Sequence, residues 1–276
     1  MTTVLKLGGE LLEDVDAVRV AARGIARLAA EGPLAVVHGG GRAITANLRA
    51  RGVQPHVVDG IRVTTDDILE SVVCILAGQI NTALVAALST EKVKGVGLTG
   101  ADAALGLVTR APAFVSSSGA LVDLGLVGVP EPDAPATLVT DLLALGYMPV
   151  IASLGVTAAG ALLNVNADVL ASHLSRAIQA DRLIVAGATP GVFDAAGVPC
   201  PALSAQQAQT MIDAGTARDG MVAKLRAVLD ARMRGVTEVR VVDGRDGAYA
   251  TAAGTRIAPS AINDQRSGVR DAEVAR

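Results

Sequence analysis

The residues of this chain that could do chemistry are few, and most of them stand beside glycines. Lys6 interrupts an otherwise apolar run, Val4-Leu5-Lys6-Leu7, that leads straight into Gly8-Gly9. A second apolar run, Leu34 to Val37, leads into His38-Gly39-Gly40-Gly41. Glycines let the backbone approach a ligand closely and offer N–H groups to an anion, and a helix starting there adds the positive end of its dipole. In an open α/β sheet, ligands bind beyond the carboxyl ends of the strands, where both clusters fall. A lysine on a central strand is costly unless its charge is met; on an edge strand it is simply solvated. Further on, Asn164-Val165-Asn166-Ala167-Asp168 opens a helical segment. Any one of these polar residues is an ordinary cap, but three at one strand-to-helix junction suggest a polar site. Asp219-Gly220-Met221-Val222-Ala223-Lys224 opens another helix, with Lys224 in a turn where the dipole disfavours a cation unless an anion is near.

Other chemistries find no support. His38, His56 and His173 have no ligand spacing with one another or with Cys74 and Cys200, so no metal site is expected. No Ser-His-Asp or Cys-His constellation presents itself. Gly95-Val96-Gly97-Leu98-Thr99-Gly100 fits G-x-G-x-x-G, but Gly106 and Pro112 break the segment after it, where the dinucleotide fingerprint requires a helix. No phosphate-binding G-x-x-x-x-G-K-[ST] motif is present. Lysines, one aspartate and glycine backbone without a nucleophile suit phosphoryl transfer, which depends on positioning and charge neutralisation more than on covalent chemistry.

These residues need a scaffold, and the composition supplies one. Of 276 residues, 51% are hydrophobic and 18% charged, enough for a sizeable core. With 1% aromatics and a net charge of −3, the chain has neither stacking platforms nor a basic face, so nucleic acid is not an expected partner. Cys74 lies in the apolar run 72–77 and is expected in the core; Cys200, between two prolines, is expected in a loop. The start of the chain lacks a signal-peptide pattern, which makes a cytoplasmic protein the expectation. The uncharged stretch 142–167 is long enough to span a bilayer. Gly146, Pro149, Gly155 and Gly160 cut it, however, into a helix end and strands at 148–153 and 161–165, so no membrane is expected.

Short β-rich runs alternate with Ala-rich helical ones. Strands are predicted at 3–7, 34–37, 93–98, 148–153, 182–186 and 238–242, and helices at 14–30, 42–51, 65–88, 136–145, 167–178, 205–214 and 221–234. Ser204 and Gln207 have capping-box spacing. The alternation indicates an α/β fold, a parallel sheet with helices on both faces. Residues 107–129 read as a hairpin excursion around Ser116-Ser117-Ser118-Gly119, and 259–276 as a polar tail.

Lys6-Leu7-Gly8-Gly9, His38-Gly39-Gly40-Gly41, Gly60-Ile61-Arg62-Val63-Thr64, Asn164 to Asp168 and Gly220 to Lys224 together resemble, in order and spacing, the acetylglutamate kinases of the amino acid kinase family. The resemblance covers roughly residues 1–258. It implies an open three-layer αβα sandwich with a mainly parallel central sheet. Residues 1–164 would bind the amino acid and make a homodimer, and 165–258 would bind the nucleotide. The implied reaction moves the γ-phosphate of ATP, with Mg²⁺ bound to the ATP, onto the side-chain carboxylate of N-acetyl-L-glutamate, the second step of arginine biosynthesis. Lys6 and Lys224 would stabilise the moving phosphoryl group and Asp168 would hold them. Gly8 and Gly9 would give N–H groups to phosphates, with Thr189, Gly191 and Phe193 as further nucleotide contacts. Gly39, Gly40, Arg62 and Asn164 would hold the acylated substrate, Arg62 on its α-carboxylate. Two departures stand out: Ala188 replaces the aspartate usual in the family's Asp-Val-Pro-Gly-Val, and Ala101 replaces a frequent lysine in Gly-Lys-Asp. Lys6 lies almost at the start, without the extra helix of arginine-inhibited members, so arginine insensitivity is expected. The competing readings are a kinase for another acylated amino acid, such as carrier-linked aminoadipate, a nucleotide-dependent oxidoreductase using residues 95–100, and a non-catalytic interaction protein on the kinase fold.

Overall fold

The computed structural model describes residues 1–258 apart from 117, 118, 218 and 219. The tail 259–276, Asp219 and the Ser117-Ser118 pair therefore lie outside the described residues. Eight strands form the central sheet: β1 (Thr3–Leu7), β2 (Leu34–His38), β3 (Gly95–Thr99), β4 (Met148–Ala152), β5 (Arg182–Gly187), β6 (Ala202–Leu203), β7 (Glu238–Asp243) and β8 (Gly254–Ile257). Their order is β6-β8-β7-β5-β1-β2-β4-β3. The six strands from β7 to β3 are parallel, while β8 pairs antiparallel with β7 and carries β6 with it. Strand β1 is interior, with Lys6 opposite Val185 on one side and Val37 on the other.

Strand alternation decides which helix each side chain meets. On one face, Leu5 and Leu7 of β1 pack with Val36, Ile184 and the apolar stripes of α1 (Val15–Ala29), α2 (Gly41–Ala50) and α3 (Asp66–Thr90). On the other, Val4, Val37 and Val185 pack with α4 (Thr137–Ala144), α5 (Ala167–Ala177), α6 (Ala205–Asp213) and α7 (Gly220–Met233). Lys6 shares the side of Val4 and so faces α5 and α7. The expected αβα sandwich is the observed one, and most predicted elements lie within two residues of the observed ones. Asp14 caps α1 through Ala17 N–H, and Ser204 with Gln207 forms the reciprocal capping box of α6.

A second, four-stranded sheet joins Leu154–Val156, Leu162–Val165, Val127–Pro130 and Val108–Arg110. The uncharged stretch 142–167 is thus divided between the end of α4, β4 and two strands of this second sheet. Among the described residues one helix, α3, is long and apolar enough to cross a membrane by composition, and less than half of its most apolar window is buried.

Two expectations are corrected. Cys74 is exposed rather than in the core, because α3 buries Val72, Ile75 and Leu76 and turns Cys74 outward. Cys200 lies in a two-residue strand, paired with Val192, rather than in a loop. The glycines of the 95–100 cluster serve packing. A Cβ at Gly97 would overlap the Asn81 side chain, and one at Gly100 would meet Gly106 Cα at 3.0 Å. The strand is followed by a short turn, Asp102–Ala104, and not by the helix a dinucleotide site requires.

Candidate active site

Lys6 and Asp168 meet because β1 points Lys6 toward the start of α5. Asn166 caps that helix, accepting the Asp168 N–H at 2.8 Å and the Val169 N–H at 3.3 Å, so Asp168 is free for another role. Its Oδ1 stands 2.8 Å from Lys6 Nζ and its Oδ2 3.7 Å from Lys224 Nζ, on the facing helix α7. The side chains of Lys6 and Asp168 are only 5% and 7% exposed. Burial disfavours both charges, but each supplies what the other needs. The Lys6 pKa ends above its ordinary value and that of Asp168 below its own. The Lys224 pKa is lowered, first by the Lys6 charge and then by burial. Two cations thus share one buried carboxylate, the start of α5 adding its positive dipole end.

A cavity of about 710 Å³ opens over this triad. Lys6, Gly9, Glu10, Asp168, Gly220 and Lys224 line one part of it; Gly39, Gly40, Thr45, Arg62, Ser153 and Asn164 line another. The glycine loops after β1 and β2 touch there: a Cβ at Gly9 would stand 2.6 Å from Gly40 Cα, and one at Gly40 2.8 Å from Leu76 Cδ2. Arg62 is 9% exposed and donates from Nη2 to Gly41 O at 2.9 Å and to Thr45 Oγ1 at 2.7 Å. Its Nη1 is buried and has no hydrogen-bond partner among the described residues. A buried guanidinium N–H without an acceptor is costly unless a ligand meets it, and a carboxylate is its natural bidentate partner. Asn164 Nδ2 donates to Thr64 Oγ1 at 3.1 Å, and Thr64 Oγ1 donates to Arg62 O at 3.0 Å, which ties the second sheet to the Arg62 ribbon.

Beneath the glycine loop after β2, His38 is fully buried. Asn81 Nδ2 faces its Nε2 at 3.0 Å and also donates to Val150 O at 2.8 Å. An amide NH₂ can only donate, so Nε2 is the acceptor and the imidazole is neutral. Burial drives its pKa down to about 4.

The predicted residues are thus not all in one place. Lys6, Lys224, Asp168, Gly9, Gly39, Gly40, Arg62 and Asn164 line the common cavity. The Gly8 and Gly39 amides are already engaged, with Ala186 O at 2.8 Å and Leu7 O at 3.2 Å. Gly39 therefore offers the cavity a bare Cα surface rather than a free N–H, and Gly8 does not line it. Thr189, Gly191 and Phe193 do not line this cavity. Gly191 has φ +116° against Thr255, and Phe193 belongs to the ribbon with Pro199. Glu10, Thr45 and Ser153 line the cavity without having been expected. For Glu10 the adjacent Gly8-Gly9 was the only local signal; Thr45 lies one helical turn beyond Gly41.

The model of the amino acid kinase family matches residues 1–243. The acetylglutamate kinase of Aromatoleum aromaticum is 36% identical over 251 residues, covering 88% of this chain and 82% of the relative. That of Aquifex aeolicus is 36% identical over 252 residues, covering 88% and 84%. Among solved structures, N-acetylglutamate synthase from Neisseria gonorrhoeae, complexed with coenzyme A and N-acetyl-glutamate, superposes with a TM-score of 0.80 at 24% identity, over 94% of this chain and 60% of that one. Giardia carbamate kinase superposes with a TM-score of 0.66 at 15% identity, over 94% and 99%. Both likenesses are of fold.

Proposed function

This chain belongs to the amino acid kinase family, and from that premise we propose that it phosphorylates the side-chain carboxylate of N-acetyl-L-glutamate with ATP, the second step of arginine biosynthesis. The observation that carries this reading is a single cavity with two specialised parts. One holds two lysines on one buried aspartate, and the other a buried guanidinium with an unmet N–H. The names of the curated relatives supply the acceptor.

In this mechanism a carboxylate oxygen of the substrate attacks the γ-phosphorus, the bond from that phosphorus to the β-phosphate bridging oxygen breaks, and ADP leaves with the electron pair. The products are ADP and N-acetyl-L-glutamyl 5-phosphate. The attacking carboxylate has a reference pKa of about 4.3 and needs no general base near neutral pH, in keeping with a cavity that no histidine among the described residues lines. The barrier is the approach of two anions. Lys6 and Lys224 meet the charge that spreads over the phosphoryl oxygens, and Asp168 is the positioning residue that keeps both ammonium groups pointed inward. Arg62 Nη1 takes the α-carboxylate, and Gly40 and Asn164 border the acyl group. Residues 1–164 then serve mainly the acceptor and 165–258 the nucleotide, with Lys6 and the Gly8-Gly9 turn crossing over to the phosphates. Thr189, Gly191 and Phe193, off the common cavity, are placed on the adenosine side.

The donor set does not suit a resident metal. Among the described residues no cluster of three metal-binding side chains exists, and Asp168 is committed to two lysines. Mg²⁺ would come with the nucleotide rather than from a site of this chain, and would supply neutralisation of phosphate charge. We assign the protein to the cytoplasm as a homodimer; the incompletely buried α3 supports a second copy covering it.

The test is acyl-phosphate formation trapped as hydroxamate. N-acetyl-L-glutamate should give ATP-dependent product, and Lys6→Ala and Lys224→Ala should each lose about 10²–10³-fold in kcat. Product only with another acylated amino acid would reassign the acceptor. Product from none, in folded protein, would remove the kinase reading.

A further inference from the structure

The cavity already contains an anion of its own. Glu10 follows the Gly8-Gly9 pair and folds its carboxylate back over Gly8, so that any Cβ there would overlap the carboxylate. Its Oε1 accepts the Ala188 N–H at 3.2 Å. It also lies 3.0 Å from where a Gly187 Cβ would stand, a point 3.8 Å from Lys224 Cε. The carboxylate therefore bridges the carboxyl ends of β1 and β5, two neighbouring central strands, on a floor of bare glycine. Its charge favours the protonated form of both Lys6 and Lys224. With Asp168 it completes a balanced set of two cations and two carboxylates.

The phosphoryl-transfer mechanism has no use for Glu10. A fixed carboxylate where phosphate oxygens must come would repel them. Yet a backbone N–H, two lysines and a glycine floor are what an anion site needs, and they serve a phosphate as well as a carboxylate. We propose that Glu10 is a built-in competitor of the nucleotide: it fills the anion position between the ends of β1 and β5 in the free protein and is displaced when the phosphates of ATP arrive. The proposal rests on the kinase reading above and adds a regulator of nucleotide affinity to it. Only the molecules with Glu10 swung out are competent, so the apparent affinity is the intrinsic one reduced by their fraction. The displaced side chain leaves its place next to Lys224 open to a phosphate oxygen.

Glu10→Gln keeps the shape and an acceptor for the Ala188 N–H but removes the charge; Glu10→Ala removes both. Calorimetric titration of the wild type and both variants with ATP, with and without Mg²⁺, and with inorganic tripolyphosphate reads the effect. Both variants should bind ATP and tripolyphosphate more tightly, Glu10→Ala by about tenfold because no charge-assisted hydrogen bond is left to break, and Glu10→Gln by less because a neutral one remains. The gain should be larger without Mg²⁺. In ¹⁵N-labelled wild-type protein, the Ala188 amide resonance should shift when tripolyphosphate is added, a readout that needs no variant. If the wild type binds ATP and neither variant binds it more tightly, the Glu10 proposal alone falls. Weaker binding confined to Mg·ATP would overturn it in favour of a carboxylate that helps hold the nucleotide's cation. If neither wild type nor variants bind ATP, this proposal and the kinase reading fall together.

Discussion

Replacing Asp168 with Asn leaves the shape of the site and removes the one charge that both lysines share. At separations of 2.8 and 3.7 Å, the two attractions are about 6 and about 4.5 kcal/mol at an effective dielectric near 20. Desolvation of three buried ions takes back several kcal/mol for each. The measurable cost of breaking such a buried pair is about 3–5 kcal/mol, because a cation is left buried without its partner. Urea unfolding near pH 7 should show that loss.

The pH dependence makes the test specific. In the wild type the folded Lys6 pKa is raised, so its contribution is complete below the unfolded value of 10.5 and is lost as pH rises through the folded value. The folded Asp168 pKa is lowered, so its contribution is present above 3.8 and is lost as pH falls through its folded value. In Asp168→Asn, burial acts on Lys6 without that carboxylate and pushes its pKa down. The variant then regains stability as pH rises toward 10, and the gap to the wild type narrows. A loss under about 1 kcal/mol at pH 7, or a gap that does not narrow in alkali, would refute the claim that Asp168 is the electrostatic keystone of the site.

Arg62→Lys keeps a charge but loses the planar fork. It should raise KM for the acylated amino acid about 10–100-fold while leaving KM for ATP nearly unchanged, as steady-state kinetics with each substrate varied will show. His38 is neutral in the fold with a pKa of about 4, against about 6.5 unfolded. The unfolded chain binds the extra proton between those values, so stability should fall by about 2 kcal/mol between pH 7.5 and pH 5 from this residue. A urea midpoint flat over that interval would contradict it. Gly9→Ala drives a Cβ to 2.6 Å from Gly40 Cα, backbone against backbone. It should cost about 1–3 kcal/mol and disturb both glycine loops, and a melting temperature equal to the wild type would show that the loops do not touch in solution.

Much of this molecule was legible from local pattern. Short β-rich apolar runs and Ala-rich helical runs placed the strands and helices, because the tendency of a segment to extend or coil and to be buried is written in its own few residues. Lys6, Asp168, Arg62 and Lys224 were legible as chemical misfits: a lysine in an apolar strand, a polar run at a helix start, an arginine within a recognisable motif, a lysine at the positive end of a helix. The errors came where local pattern has no purchase. Cys74 lies in an apolar run, but a helix turns one residue in a few outward, and only its neighbours decide which. The G-x-G-x-x-G cluster was rightly set aside as a dinucleotide site from the break that follows it, and only the structure shows that its glycines answer to Asn81 and Gly106.

The residue types and the faces of their elements were therefore determined by the sequence alone, since side-chain alternation and helix periodicity are local properties of the backbone. Which strands became neighbours was decided only by tertiary packing. That packing set β1 between β5 and β2, aimed Lys6 at a carboxylate 162 positions away, and carried the Glu10 carboxylate to an amide 178 positions away. Contacts at such separations form when whole helix and strand faces close on one another to bury their apolar surface, and no short stretch of chain records the outcome.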